Sequence, residues 1–435
     1  MVRPDIETPL RVHTRHNSDQ SEVAEHFRSI GQRRRRKGFD LHEAPQVELD
    51  VVQSDSATRL LVTAHHLVLD GWSLSLLTEE FLSTLASFRR GKDPPDRPAP
   101  PYREYIDWVD RRDDEAAEDF WRERLRDVQR TRLPDYSNDG HEHTDDYAVF
   151  EREIPAPLRK RVADLAESTE VTVNVVYQAA WALLYARHAG ATDVTYGLTL
   201  SGRTADLEQM ERRVGMFINT VPMRVTVPRG ETRFDTWLEQ LQQAQRDVRR
   251  YGHSSPIEIR KWADIPADVD LFEGIFVFEN YPVDASTAEA LSALGVRDVE
   301  ASERTHNPLT FVVTEKQATL HYQTSRFGEE QIQSMAGRWI ELLRSFVESP
   351  DRPPRAHRMV GDDDLDRLTR DWGRGPRREV PEEPVHRLVE QRAAEHPERT
   401  AIVSEDREVG YGQLDRRANR VASVLRDRGI GPDEA

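Results

Sequence analysis

Two adjacent histidines, followed at a fixed offset by an aspartate and a glycine, are the residues of this sequence best placed to do chemistry: His65-His66-Leu67-Val68-Leu69-Asp70-Gly71-Trp72-Ser73. A free imidazole has a pKa of about 6.5, so a histidine presented to a cleft exchanges protons near neutrality. The pair closes an apolar run with strand character at residues 59–64, and helical spacing begins at Ser73. A strand-to-helix turn of this kind presents one histidine at its tip. Asp70 fixes such a turn by local hydrogen bonds, and Gly71 allows a backbone conformation closed to other residues. A histidine pair alone is more often structural than catalytic, so the weight rests on the whole string.

The other candidates are weaker. His141 and His143 flank Glu142 close to Asp145 and Asp146, which imitates a metal cluster, but the segment is a hydrophilic loop without helical spacing. Ser73 reads as a helix N-cap, not a nucleophile. The sequence holds no Gly-x-Ser-x-Gly elbow and no Gly-x-x-x-x-Gly-Lys-Ser/Thr phosphate loop. It has no cysteine, which removes disulfides, thiolate metal sites, cysteine nucleophiles and iron–sulfur clusters together. Trp181, Phe217 and Trp339 read as core residues.

Around the histidine turn the spacing predicts a helix over 21–36, strands over 47–52 and 59–64, a helix over 73–90 and one long helix over about 102–128. The basic run from Arg33 to Lys37 suits a helix C-terminus, where cations meet the negative end of the dipole. A polar, turn-rich stretch over 133–146 crosses to a second half. That half carries predicted strands over 147–153, 193–200, 220–227, 271–279, 309–314 and 319–324, with helices over 156–168, 173–188, 233–250 and 329–347. The alternation implies an α/β (α+β) class, mixed sheets covered by helices. Residues 350–384 are rich in Pro, Arg and Asp and read as an extended linker. Helices over 385–396 and 411–428, with a short strand over 401–404, follow it.

Composition bounds the function. The 435 residues suggest two or three folded units at about 150 residues each. A net charge of −17 argues against nucleic acid, which needs a basic face. No apolar core of a signal peptide opens the chain, and the longest apolar stretch, 171–186, is broken by Asn174 and Gln178 and too short for a bilayer. A cytoplasmic protein without membrane or nucleic-acid partners is expected.

The histidine string resembles the His-His-x-x-x-Asp-Gly motif of the condensation domains of nonribosomal peptide synthetases, in the chloramphenicol acetyltransferase-like superfamily. Further segments follow in the family's order. Tyr102-Arg-Glu-Tyr-Ile-Asp-Trp-Val109 resembles the aromatic-Asp helix motif, and Val214-Gly-Met-Phe-Ile-Asn-Thr-Val-Pro-Met-Arg224 the Gly-x-Phe-Val-Asn-Thr…Arg motif. Phe276-Val-Phe-Glu-Asn-Tyr-Pro282 resembles a strand of these domains. Arg304-Thr-His-Asn-Pro-Leu309 resembles the late Arg-x-x-x-Asn-Pro-Leu motif, one residue short, and His253-Ser-Ser-Pro-Ile-Glu258 is a loose match to another. The likeness covers roughly residues 1–350. Residues 397–403 and 409–414, with Tyr411 and Leu414 as anchors, resemble the opening of an adenylation domain.

The resemblance implies two chloramphenicol acetyltransferase-like lobes in a V-shaped pseudo-dimer with a central cleft. It divides the chain into an N-terminal lobe at 1–140, a C-terminal lobe at 141–350, a linker at 351–383 and an adenylation start at 384–435. It implies amide formation between a carrier-bound donor thioester and the amine of a carrier-bound acceptor amino acid. His66 is then the catalytic residue, and the Gly71 N–H helps stabilise the oxyanion. Asp70 pairs with Arg224 across the lobes, Asn307 adds a hydrogen bond near the site, and His65 is a packing neighbour. No cofactor or metal is expected on the chain itself; substrates arrive on the phosphopantetheine of upstream and downstream carrier proteins. The adenylation domain of the same module is the remaining partner. The adenylation nucleotide loop is absent, so no ATP binding is expected.

The family's early motifs, an Arg-His-Glu-x-Leu-Arg string among them, are missing. On that comparison the chain is a fragment cut at both ends, and its first sheet keeps an uncovered edge and an apolar patch. The alternatives are a non-catalytic carrier-docking platform or an inactive fragment, and the intact histidine motif weighs against the platform. The Asn-Thr-Val-Pro-x-Arg string argues against an epimerase relative, and a cyclising relative replaces the histidine pair with aspartates.

Overall fold

The computed structural model describes residues 9–94, 96, 98–134, 147–266, 269–279, 291, 294–297, 299, 307–375, 383–404 and 407–431. They form two compact units, Met1–Gly361 and Asp362–Ala435.

The first lobe of unit one runs β1 (Leu10–Arg15), α1 (Gln20–Lys37), β2 (Val47–Ser54), β3 (Thr58–Ala64) and α2 (Gly71–Arg89). Its sheet has the order β1-β2-β3, with β1 parallel and β3 antiparallel to β2. Side chains alternate across the pleat, so Val52 and Leu61 meet Val23, Phe27 and Ile30 of α1. The other face shows Leu10, Val12, Leu60 and Val62 to solvent, and α2 shows Leu74, Leu77, Phe81 and Phe88. The apolar patch anticipated from the sequence is therefore present.

Beyond α2, the single helix predicted over 102–128 is two: α3 (Arg103–Val109) and α4 (Asp114–Arg124). Asp113 makes the break. Its backbone is extended and its side chain accepts from the Ala116 N–H, which starts a new helix.

The second lobe runs β4 (Tyr147–Glu153), α5 (Ala156–Ser168), α6 (Val173–Ala189), β5 (Asp193–Leu200), β6 (Asn219–Thr226), α7 (Phe234–Arg250), α8 (Pro256–Trp262), β7 (Gly274–Phe278), β8 (Leu309–Val313), β9 (Gln317–Gln323) and α9 (Glu329–Glu348). The sheet order is β4-β9-β8-β7-β5-β6, parallel only through β5, β7 and β8. Helix α6 is buried from Val175 to Ala186 and is apolar there except for Gln178, whose side-chain oxygen accepts from Gln245. Its Trp181 stacks on Phe311 at 4.9 Å, and Phe311 meets Trp339 of α9 edge-on at 5.1 Å. Glu273, just before β7, takes Arg130 at 3.0 Å, Arg326 at 3.0 Å and the Leu133 N–H at 3.1 Å, which fastens the chain at Arg130 and Leu133 to this lobe. Mixed sheets covered by helices are the α/β arrangement the sequence implied.

The start of the predicted linker is part of the lobe. Pro354 and His357 are buried, and Arg187 donates to the carbonyls of Arg355 (3.0 Å) and His357 (2.6 Å). The His357 ring lies 4.7 Å from both Phe234 and Phe346, and its Nδ1 is 3.1 Å from the Ser345 hydroxyl. An apolar pocket disfavours the charged form, and burial pushes His357 down to about 4; burial, and then Arg338, do the same to His188. Both native values lie below the unfolded value of about 6.5, so the unfolded chain binds more protons in between. Stability is complete above that value and is lost as pH falls toward 4. Each histidine adds up to about 1.4 kcal/mol per pH unit of slope. Urea midpoints of the whole chain between pH 6.5 and 5 check this: His357→Gln should flatten the slope, and an equal slope in the variant contradicts the burial argument.

In unit two, helices Val385–Glu395 and Tyr411–Asp427 accompany an antiparallel hairpin, Thr400–Ser404 with Arg407–Gly410. Short helical turns at Asp362–Asp366 and Arg367–Trp372 stand where an extended linker was predicted. Among the described residues no helix is long and apolar enough to cross a membrane.

Candidate active site

The histidine turn leaves β3 while still tied to the start of β2. The His65 N–H donates to the Gln46 carbonyl at 3.0 Å, and the Val68 N–H closes the turn on the His65 carbonyl at 3.1 Å. His65 is tied into the turn by its ring. Its Nδ1 accepts from the Leu67 N–H at 3.0 Å, which puts the ring proton on Nε2, and its ring meets Phe39 edge-on. His66 is exposed at the tip, and among the described residues it makes no hydrogen bond or ion pair.

Asp70, not Ser73, is the N-cap of α2. Its Oδ1 accepts from the Ser73 N–H at 2.7 Å. Gly71 is the first residue of that helix and has no positive φ, so the special conformation predicted for it is not what it supplies. Its N–H instead belongs to the first helical turn, whose amides have no partner within the helix.

The Asp70–Arg224 pairing is corrected. Asp70, fully buried, takes Arg203 Nη2 at 3.2 Å on Oδ1 and the Phe217 N–H at 3.1 Å on Oδ2. Ser73 completes the contact. Its hydroxyl donates to the Gly215 carbonyl at 2.8 Å and accepts from the Gly215 N–H and from Arg203, both at 3.0 Å. Arg203 lies between the Phe217 ring (4.3 Å) and the Trp72 ring (5.3 Å). Arg224 sits seven residues beyond Phe217, about 20 Å along an extended chain. There it bonds Asp193 of the neighbouring strand and the Arg126 carbonyl at 2.7 Å. Arg224→Ala should cost about 1 kcal/mol, because the pair is partly exposed. Chemical denaturation checks it, and a loss of several kcal/mol would put Arg224 back in the contact between the lobes.

Glycines permit this contact. Gly202 has φ +65° and a Cβ there would stand 1.7 Å from the Phe217 carbonyl oxygen; at Gly215 a Cβ would meet the Tyr102 ring at 2.2 Å. The Tyr102 hydroxyl donates to the Met216 carbonyl at 2.5 Å, and Tyr102, Tyr105 and Phe217 pack together. The Asp-aromatic helix motif and the Gly-x-Phe motif thus hold each other.

Three features were missed. Arg203 carries no sequence signal beyond following Ser201-Gly202. Asn219 donates to the carbonyls of Gly252 (2.8 Å) and Ser254 (2.7 Å) and so clamps the loop that bears His253. Helix α8 starts with a capping box at Ser255 and Glu258, a signal readable in Ser255-Pro256-Ile257-Glu258. Asn307 is half-buried just before β8; Arg304 to His306, the 141–146 cluster and Asn280 to Pro282 lie outside the described residues.

A cavity of about 1160 Å³ opens beside the contact, walled by Trp72, Trp108, Tyr177, Leu200, His253 and Phe278. His66 is not in its lining. Burial, and then Arg112, hold His253 below the usual histidine value.

A family profile for the condensation domain matches residues 1–369, and one for AMP-binding enzymes matches residues 389–435. The chain is 34% identical over 403 residues to a component of the linear gramicidin synthase of Brevibacillus parabrevis, covering 90% of this chain and 5% of that protein. It is 31% identical to another component of the same synthase, covering 100% of this chain and 9% of that relative. The chain thus spans less than a tenth of the length of these relatives. Its fold matches the X-domain from teicoplanin biosynthesis with a TM-score of 0.65 at 19% identity, over 83% of each chain. It matches a four-domain nonribosomal peptide synthetase with a TM-score of 0.68 at 14% identity, over 98% of this chain and 33% of that one.

Proposed function

The chain belongs to the condensation-domain family of nonribosomal peptide synthetases, and from that premise we propose that it joins a carrier-bound donor acyl group to the amine of a carrier-bound acceptor amino acid. The acceptor nitrogen attacks the donor thioester carbonyl, the new C–N bond replaces the C–S bond, and the leaving thiolate takes up the proton that the amine loses. His66 either orients the amine or takes its proton and passes it to the thiolate. The Gly71 N–H, at the start of α2, faces the developing oxyanion. Asp70, Ser73 and Arg203 hold the turn, and Asn307 lies at the edge of the site.

The observation that carries this reading is the intact His65–Gly71 turn, with Asp70 fixed by Arg203 and Phe217 while His66 is left without an intramolecular partner among the described residues. Residues 1–140 and 141–361 supply the lobes, 362–383 the connection and 384–435 the beginning of the adenylation domain. Carrier proteins on both sides and that adenylation domain are the partners; substrates arrive on phosphopantetheine, and the setting is the cytoplasm. Incubation with loaded donor and acceptor carriers tests the proposal. Amide product supports it, whereas carrier binding without product selects a docking platform instead.

A further inference from the structure

We propose that His65 is a positioning residue that works only as the neutral imidazole: the lone pair on its Nδ1 latches the turn that presents His66, and protonation of His65 releases the latch. The effect on rate rests on the catalytic reading of His66 above, whereas the latch itself stands on geometry.

Two hydrogen bonds close the turn upon itself, and both end on His65. The Val68 N–H donates to its carbonyl at 3.1 Å, and the Leu67 N–H to its Nδ1 at 3.0 Å. The His66 side chain is exposed and has no hydrogen bond or ion pair among the described residues. Its direction is therefore set by the backbone on either side, and the Nδ1 bond spans those two sides, from Leu67 back to His65. The accepting ring is itself held. The His65 N–H donates to the Gln46 carbonyl at 3.0 Å, and its half-buried ring meets the Phe39 ring edge-on at 6.1 Å. Phe39 and Gln46 belong to one loop, closed where the Gln46 side chain donates to the Asp40 carbonyl at 2.7 Å.

An imidazole accepts a hydrogen bond only while neutral; in the cation both ring nitrogens are donors. Protonation therefore sets an N–H against the Leu67 N–H, and attraction becomes repulsion. The turn is closed at higher pH and opens as pH falls through the titration of the ring. The charged and titratable residues of the surrounding elements are Asp40, His42 and Glu43 in the Phe39 loop, Glu48 on β2, and His66 and Asp70 in the turn. Asp40 takes His42 at 3.1 Å, Glu48 takes Arg34 at 2.6 Å, and Asp70 takes Arg203 at 3.2 Å. Among the described residues no carboxylate pairs with the His65 ring to stand in for the lost bond. Asparagine separates shape from titration: its side-chain oxygen accepts from the N–H two residues on, and it takes up no proton in this range.

Hydrogen–deuterium exchange of the whole chain reads the latch at the peptide spanning Leu67 and Val68, each rate being divided by the chemical rate at that pH. In the unaltered chain, protection there should fall at least threefold between pH 7.5 and 5.5. The His42 and Glu43 amides, bonded to the Asp40 carboxylate (2.9 Å) and carbonyl (3.1 Å), should lose none. His65→Asn should hold its protection across the range, and His65→Leu should lack it at both ends. The series on the unaltered chain needs no variant, so it decides even where a variant does not fold. On loaded carriers, the acid limb of the amide-forming rate should be steeper by one proton in the unaltered chain than in His65→Asn, a difference that mere packing by His65 does not produce. Equal protection at both pH values, a fall that persists undiminished in His65→Asn, or equally steep limbs overturns the proposal. Exchange that follows the latch while His66→Ala forms amide at the parent rate counts against the catalytic reading of His66 alone.

Discussion

Amide formation by His66→Ala should fall by about 10²–10⁴-fold, the usual share of a positioned proton-transfer group. Stability should not follow. His66 is exposed and makes no hydrogen bond or ion pair among the described residues, so its removal opens no cavity and strands no partner. The measurement is the initial rate of product on loaded carriers, with a urea midpoint alongside. His66→Gln separates two roles: if the imidazole only orients the amine, the amide retains part of the rate, and if it takes the proton, Gln is as slow as Ala. A rate within threefold of the parent for Ala would remove His66 from the chemistry.

Asp70→Ala should destabilise unit one by about 3–5 kcal/mol, because it leaves the Arg203 guanidinium buried without its counter-charge. The helix cap on Ser73 goes with it, about 1 kcal/mol of that loss. The double variant Asp70→Ala/Arg203→Ala should cost clearly less than the two single losses together, since no charge is then stranded. Denaturant titration of all three variants reads the coupling. Strict additivity would mean that Asp70 and Arg203 do not depend on one another, and a loss below 1 kcal/mol for Asp70→Ala would dissolve the contact between the lobes.

Most elements were legible because their periodicity is local. Helix α6, bounded by the Thr172 cap and Gly190 in the left-handed conformation, and β5 are matched within a residue or two. The misses share a physical origin. Leu10–Arg15 is an edge strand whose second, fourth, fifth and sixth residues are polar, so it has no apolar run to find. The α3–α4 break falls in Asp110-Arg111-Arg112-Asp113-Asp114, where charged residues conceal a cap. His357 is buried in a stretch whose average composition is that of a linker.

At the site, the sequence identified the turn and the loop that meets it but paired the wrong arginine. Motif membership placed Arg224 beside Asp70. Strand geometry carries it away, and Arg203, brought back by the left-handed Gly202, takes the position. Pairings of that kind are decided by the tertiary fold and leave no local spacing to read. The exposed face of Leu10, Val12, Leu60 and Val62 follows from alternation across the paired strands, and half of it lies on β1, which the sequence did not reveal.

The central claim is tested most directly by intact-mass measurement of the two carriers after a single turnover with the unaltered chain. The account predicts that the donor carrier loses its acyl mass and the acceptor carrier gains it, joined through its amine, and that His66→Ala leaves both masses where they began over the same interval. Acyl mass that stays on the donor carrier while both carriers are bound, or that appears only as free acid, would contradict it.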